Sequence, residues 1–153
     1  MDDREQAYDA VATSRLRVAL ELEIPSDVRY IESVVGIVAR HCEQFRFTQR
    51  QCALNIPVAL SEALSNAILR GNRAADGPRV QVKADVTRAR VVLEVVDEGS
   101  GFDLAECLSD PTTPENLERE DGRGLFLMTR LMDRLERFSN HGNVVRMTLH
   151  RHD

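Results

Sequence analysis

Two stretches with a two-residue apolar period stand almost back to back, residues 80–86 and 90–96, separated by a short turn at Thr87-Arg88. Alternation of this kind puts apolar side chains on one face of a strand and polar ones on the other. A connection this short joins antiparallel neighbours, because a parallel pair needs a crossover of a dozen or more residues. The chain is therefore expected to build an antiparallel sheet. The same period recurs early, where Leu16, Val18, Leu20 and Leu22 share one face of a predicted strand over 15–23. It recurs late, where 135–139 and 144–150 form a predicted hairpin around Asn140-His141-Gly142-Asn143.

Helical periodicity fills the intervals. Pro25-Ser26-Asp27 opens a helix in which Val28, Ile31, Val35 and Val38 recur at helical spacing to about Gln44. Thr48 with Gln51 reads as the capping box of a second helix. Pro57 falls inside that stretch and either kinks the helix or restarts it. From Pro57 the helix runs to Arg70 and stops at Gly71-Asn72. A third helix is predicted over 124–134. Residues 98–121 form a loop rich in Gly, Pro, Asp and Thr, and loops this long in compact domains are functional or disordered. Three long helices and about five strands in consecutive hairpins predict an α/β chain. Its expected form is an α+β two-layer sandwich, with a mostly antiparallel sheet and the helices on one face. Residues 1–13 read as a polar N-terminal arm and residues 14–153 as one domain.

Composition removes several classes of function. The net charge of −5 argues against a phosphate-backbone binder, so nucleic acid is not an expected partner. The opening MDDREQ carries no apolar segment, and the longest uninterrupted apolar run, 34–39, is too short to span a bilayer. The expectation is a cytoplasmic protein with no membrane partner. The three cysteines, Cys42, Cys52 and Cys107, show no CxxC spacing and read as buried reduced thiols. His150 and His152 read as a polar tail. Only one of the 20 basic residues, Lys83, is a lysine. The chain therefore lacks the P-loop pattern, and it lacks the strand lysine and HRD loop of ordinary protein kinases. Nucleotide phosphates would have to be held by backbone amides, arginine and a metal ion.

Three segments carry candidate chemistry. In SEALSNAILRGN, residues 61–72, Glu62, Asn66 and Arg70 are spaced by four and project from one side of a helix. By itself this pattern also fits a solvated helix face. In VVDEGSGFD, residues 95–103, Asp97 ends an apolar strand and is followed by Gly99 and Gly101. A carboxylate there can accept from an exocyclic amine, and the glycines permit close approach to the backbone; an ordinary Gly-rich turn has the same look. In EDGRGLFLMTRLMD, residues 120–133, Gly122 and Gly124 flank Arg123 just before a helix. A glycine-rich helix N-terminus offers free N–H groups to phosphate, although a flexible loop-to-helix junction would read alike.

Taken together in this order, the segments resemble the motifs of the GHKL (Bergerat-fold) ATPases, and within them the anti-sigma regulatory serine-protein kinases. The resemblance covers roughly residues 14–150, with the three segments matching the N box and the first and second glycine boxes. It implies that Asn66 binds Mg2+, that Glu62 is the general base, and that Asp97 reads the adenine amino group. It implies that Gly99, Gly101 and Phe102 border the adenine and ribose. Gly122, Arg123, Gly124 and Leu125 would form the phosphate-contacting end of an ATP lid over 104–121. Arg70 stands where family members often have histidine, and its role stays open. The resemblance further implies ATP and Mg2+ as cofactors and an anti-anti-sigma partner of the small STAS type, phosphorylated on serine. It implies a sequestered sigma factor and a homodimer. Two other readings share the same residues: a non-catalytic, ATP-gated protein-binding module, and a histidine-kinase-like ATPase domain acting in trans.

Overall fold

The computed structural model describes residues 3–4, 17–99 and 120–152, with the backbone alone over 120–123. In chain order the elements are β1 (Val18–Pro25), α1 (Ile31–Gln44), α2 (Ile56–Asn66), β2 (Arg79–Val86), β3 (Arg90–Asp97), α3 (Glu120–Leu131), β4 (Arg134–Ser139) and β5 (Asn143–His150). The strands form one sheet in the order β1-β2-β3-β5-β4, every neighbouring pair antiparallel.

The period-2 pattern explains the two faces. Leu20, Ala84, Leu93, Met147 and Leu135 stand opposite one another across the five strands and belong to the core or pack on it. One residue along, the row reads Glu21, Lys83, Glu94, Arg146 and Glu136, alternating in charge. Arg146 Nε lies 2.7 Å from Glu94 Oε1, and its guanidinium stands 4.7 Å from the centre of the Phe138 ring. Such cross-strand pairs add little stability at a wet surface, but they fix which face looks outward.

The helices begin where side chains can satisfy their free amides. β1 continues through Pro25, two residues beyond the expected end, and the start signal is Asp27, whose carboxylate accepts the Arg29 N–H at 2.9 Å. A short 3-10 turn, Val28–Tyr30, leads into α1. The capping box is formed reciprocally: Thr48 Oγ1 accepts the Gln51 N–H at 3.1 Å, and Gln51 Oε1 accepts the Thr48 N–H at 3.2 Å.

Pro57 lies where the regular helix restarts, in the first turn of α2. A π turn, Gln51–Asn55, runs directly into α2, with the Ile56 N–H reaching back to the Gln51 carbonyl. Proline brings no N–H of its own and sits in the first turn of α2, where the wide turn before it accommodates the missing bond. A second π turn, Ala67–Gly71, ends the run. Within the 21 residues of Gln51–Gly71 an 18-residue part reaches a mean hydropathy of 1.4, long and apolar enough to cross a membrane by composition alone. Here Leu60, Leu64 and Ile68 are fully buried in the domain core, each contributing about 2 kcal/mol. Ser61, Glu62, Ser65 and Asn66 occupy the half-buried side.

α3 starts at Glu120, four residues ahead of the expected 124, and ends at Leu131. Asn55 Nδ2 donates to the Leu131 carbonyl at 2.7 Å, joining the α2 run to the end of α3. Cys42 and Cys52 are free and buried, as read, and burial pushes their thiols up to about 12 and about 11. Cys107, Gly101, Phe102, residues 104–119 of the expected lid and all but Asp3 and Arg4 of the N-terminal arm lie outside the described residues.

Candidate functional site

The sequence-predicted residues gather at two places along the α2 run. The first lies mid-helix. Glu62 and Asn66, one turn apart and half-buried, both face α3 at Gly124. A Cβ placed on Gly124 would stand 3.0 Å from Glu62 Oε2 and 3.2 Å from Asn66 Nδ2. Glycine is therefore what lets the α3 backbone close on these polar groups. Gly122 and Gly124 lie inside α3 rather than ahead of it. Gly122 and Arg123 fall in its first turn, where N–H groups have no partner within a helix. Gly124, the fifth residue, is beyond that turn and acts through its small size. Leu125 is half-buried and packs on the core.

The second place is the helix end. Asp97 is the last residue of β3 and only 7% exposed. Its Oδ1 accepts two hydrogen bonds, from the Gly99 N–H at 2.8 Å and from Asn143 Nδ2 at 2.9 Å. Oδ2 carries no hydrogen bond among the described residues. Burial holds the carboxyl above the usual carboxylate range, opposed by those two donors and by the charge of Arg137. A Cβ on Gly71 would fall on the Asp97 carboxyl group, and one on Gly99 would overlap the Gly71 carbonyl. The end of the α2 run, the end of β3 and the turn after it thus touch backbone to carboxylate. Arg70 lies one residue before this contact and is exposed.

Four participants escaped the sequence reading. Asn143 pairs with Asp97 across β3 and β5, yet its sequence context reads only as a hairpin turn. Gly142, with φ +142°, lies where a Cβ would overlap the Asp97 carbonyl, so the β4–β5 turn can seat there. Asn72, 5% exposed, donates to Ser26 Oγ at 2.9 Å and to the Arg79 carbonyl at 3.1 Å, and accepts the Glu98 N–H at 2.8 Å. It ties the helix end to three segments, although the sequence marks it only as a stop signal. Arg137 on β4 acts on Asp97 by charge, and nothing in its local pattern announces this. The signal available for Asn143 was its register, which needs the strand pairing to be known first.

A single layer of helices over an antiparallel sheet, with a polar helix side facing a glycine and a buried carboxylate at the sheet end, defines a GHKL-type domain. Residues 24–149 match the histidine kinase-like ATPase domain, and the chain belongs to that family. Serine-protein kinase RsbW of Bacillus velezensis is 30% identical over 134 residues, covering 84% of this chain and 83% of the relative. Anti-sigma F factor of Thermoanaerobacter sp. is 35% identical over 115 residues, covering 73% and 79%. Among solved structures, the RsbU and RsbW domains of Rv1364c from Mycobacterium tuberculosis align with a TM-score of 0.63 at 16% identity, over 89% of this chain and 33% of that longer one. The catalytic domain of histidine kinase ThkA aligns with a TM-score of 0.56 at 12% identity, over 86% and 96%. At these identities the structural likenesses establish the fold.

Proposed function

We propose that this chain is an ATP-dependent serine-protein kinase that acts as an anti-sigma factor, phosphorylating an anti-anti-sigma partner on serine and sequestering a sigma factor. The observation that carries the reading is the meeting of Glu62, Asn66 and Gly124, on the same helical run whose end at Gly71 rests on a buried Asp97 with a spare carboxylate oxygen. The names of the relatives point the same way. We further propose that it works in the cytoplasm as a homodimer, which light scattering tests.

The donor set fits ATP with Mg2+. Among the described residues no three His, Cys, Asp or Glu side chains cluster to cage a metal ion. An Asn oxygen beside a carboxylate instead suits a hard cation that keeps waters and phosphate oxygens. When bound, ATP with Mg2+ supplies the phosphoryl group and neutralises its charge. Asp97 offers Oδ2 to the adenine amino group, where guanine would present a carbonyl lone pair instead. Asn66 would hold the metal ion. Glu62 takes the proton from the incoming serine hydroxyl. The free N–H groups in the first turn of α3 would offer donors to the phosphates, with Arg123 in the role that the family resemblance gives it.

The test separates the two helix residues. Asn66→Ala removes a metal contact, so ATP binding and phosphorylation both fall. Glu62→Gln keeps size and hydrogen-bonding capacity, so ATP and partner binding survive while the rate drops roughly 10²–10⁴-fold. The lower end is expected, because phosphoryl transfer leaves little charge on the attacking oxygen. Wild-type rates in Glu62→Gln would remove Glu62 as the base, and an acid-labile phosphohistidine product would replace the serine assignment.

A further inference from the structure

Asn143 carries a polar atom that nothing described so far uses. The residue is 5% exposed, and its Oδ1 is buried without a hydrogen-bond partner among the described residues. A buried acceptor left without a donor is costly, so such atoms in folded proteins ordinarily mark an expected partner. Its orientation is not free to change. Nδ2 donates to Asp97 Oδ1 at 2.9 Å, and turning the amide over would set Oδ1 against that same oxygen, two acceptors with no proton between them. The direction of the orphan acceptor is thereby fixed by the residue assigned to the adenine amino group.

We propose that Asn143 is a specificity-determining residue of the nucleotide site, its Oδ1 accepting the second hydrogen of the adenine amino group while Asp97 Oδ2 accepts the first. The inference rests on the ATP-binding reading above. An exocyclic amine has two hydrogens, and Asp97 with Asn143 supplies two acceptors at one end of the sheet, from adjacent strands β3 and β5. Gly142 holds the hairpin close enough for this, since a Cβ there would overlap the Asp97 carbonyl. Arg137, from β4 of the same hairpin, keeps a positive charge near Asp97 and favours the ionised acceptor. Gly99 and Gly71, which close on that carboxyl group, carry no charge. A guanine would face two acceptors with its own carbonyl, and the locked amide could donate to it only by releasing Asp97.

Calorimetry with Mg-ATP, Mg-GTP and the Mg complex of N6-methyl-ATP tests this. N6-methyl-ATP retains one amino hydrogen. A site that reads only one leaves the methyl group pointing away and binds both adenine nucleotides alike. A site that reads two binds N6-methyl-ATP about tenfold more weakly, the worth of one hydrogen bond whose partner is left buried. Asn143→Leu keeps the branched outline of the side chain and removes both hydrogen-bonding groups of the amide, so ATP affinity falls and the ATP to N6-methyl-ATP ratio collapses toward one. Equal affinities in the wild-type protein would overturn the proposal, with no variant needed. A ratio that persists in Asn143→Leu would also overturn it, because the discrimination would then be steric. Loss of Mg-ATP binding by the wild-type protein would instead sink the ATP-binding reading itself.

Discussion

Asp97 sits where burial and hydrogen bonding pull in opposite directions. Burial raises its pKa most strongly, against the Gly99 N–H, the Asn143 amide and the charge of Arg137. With the folded pKa above the unfolded one, the native state binds the proton more tightly. Asp97's contribution to stability is then complete below the unfolded pKa and is lost as pH rises through the folded value. Ligand binding has the opposite sign, because an amino group donates to the ionised carboxylate. ATP affinity is therefore expected to fall as pH drops through the raised pKa of Asp97. Asp97→Asn should bind ATP more weakly and lose this pH dependence, as read by calorimetry from mildly acidic to neutral pH. An unchanged pH profile in Asp97→Asn would remove Asp97 as its source.

Among elements, α2 carries most of the site, and its position depends on ties at both ends. Asn55 anchors the last carbonyl of α3 at 2.7 Å, and that helix brings Gly124 to Glu62 and Asn66. Asn55→Ala leaves the carbonyl of Leu131 unpaired and is expected to lower stability by about 1–2 kcal/mol. It should also reduce phosphorylation more than ATP binding, since Asp97 is far along the run. Denaturant melts and single-turnover kinetics measure the two effects; equal losses would mean that α3 does not orient the mid-helix pair. The elements themselves were largely readable, for a physical reason. Alternation over 80–86 and 90–96, the Thr48-Gln51 box and the Gly71 stop are local signals, each complete within a few residues. The misplaced boundaries were those set by tertiary contacts. α3 begins early, and Pro57 is absorbed by a π turn that periodicity cannot express. In the candidate site, Glu62, Asn66 and Asp97 were singled out by spacing and position, and the family resemblance supplied their expected roles. Asn143 and Arg137 were not, because their meaning lies in pairing across strands about fifty residues apart.

Across the whole molecule, the core and the site share the same helix and cannot be altered independently. Leu60, Leu64 and Ile68 anchor the α2 run in the core, and three residues after Ile68 the backbone at Gly71 rests on Asp97. Gly71→Ala would push its methyl group into the Asp97 carboxyl, so helix and strand must part. The expected result is loss of ATP binding together with destabilisation of about 1–3 kcal/mol, the usual cost of overpacking. Retained ATP affinity with an unchanged melting temperature would mean that the helix end moves without disturbing the carboxylate. No room for even a methyl group lies between these two pieces, so neither can shift toward the other. Asn72, the residue after Gly71, grips Ser26 just after β1, the start of β2 and the backbone after Asp97, so the helix end is tied to the strands on three sides. The start of the loop over 73–78 and the buried carboxylate thus share one anchorage, and a substitution at either is expected to be felt at the other.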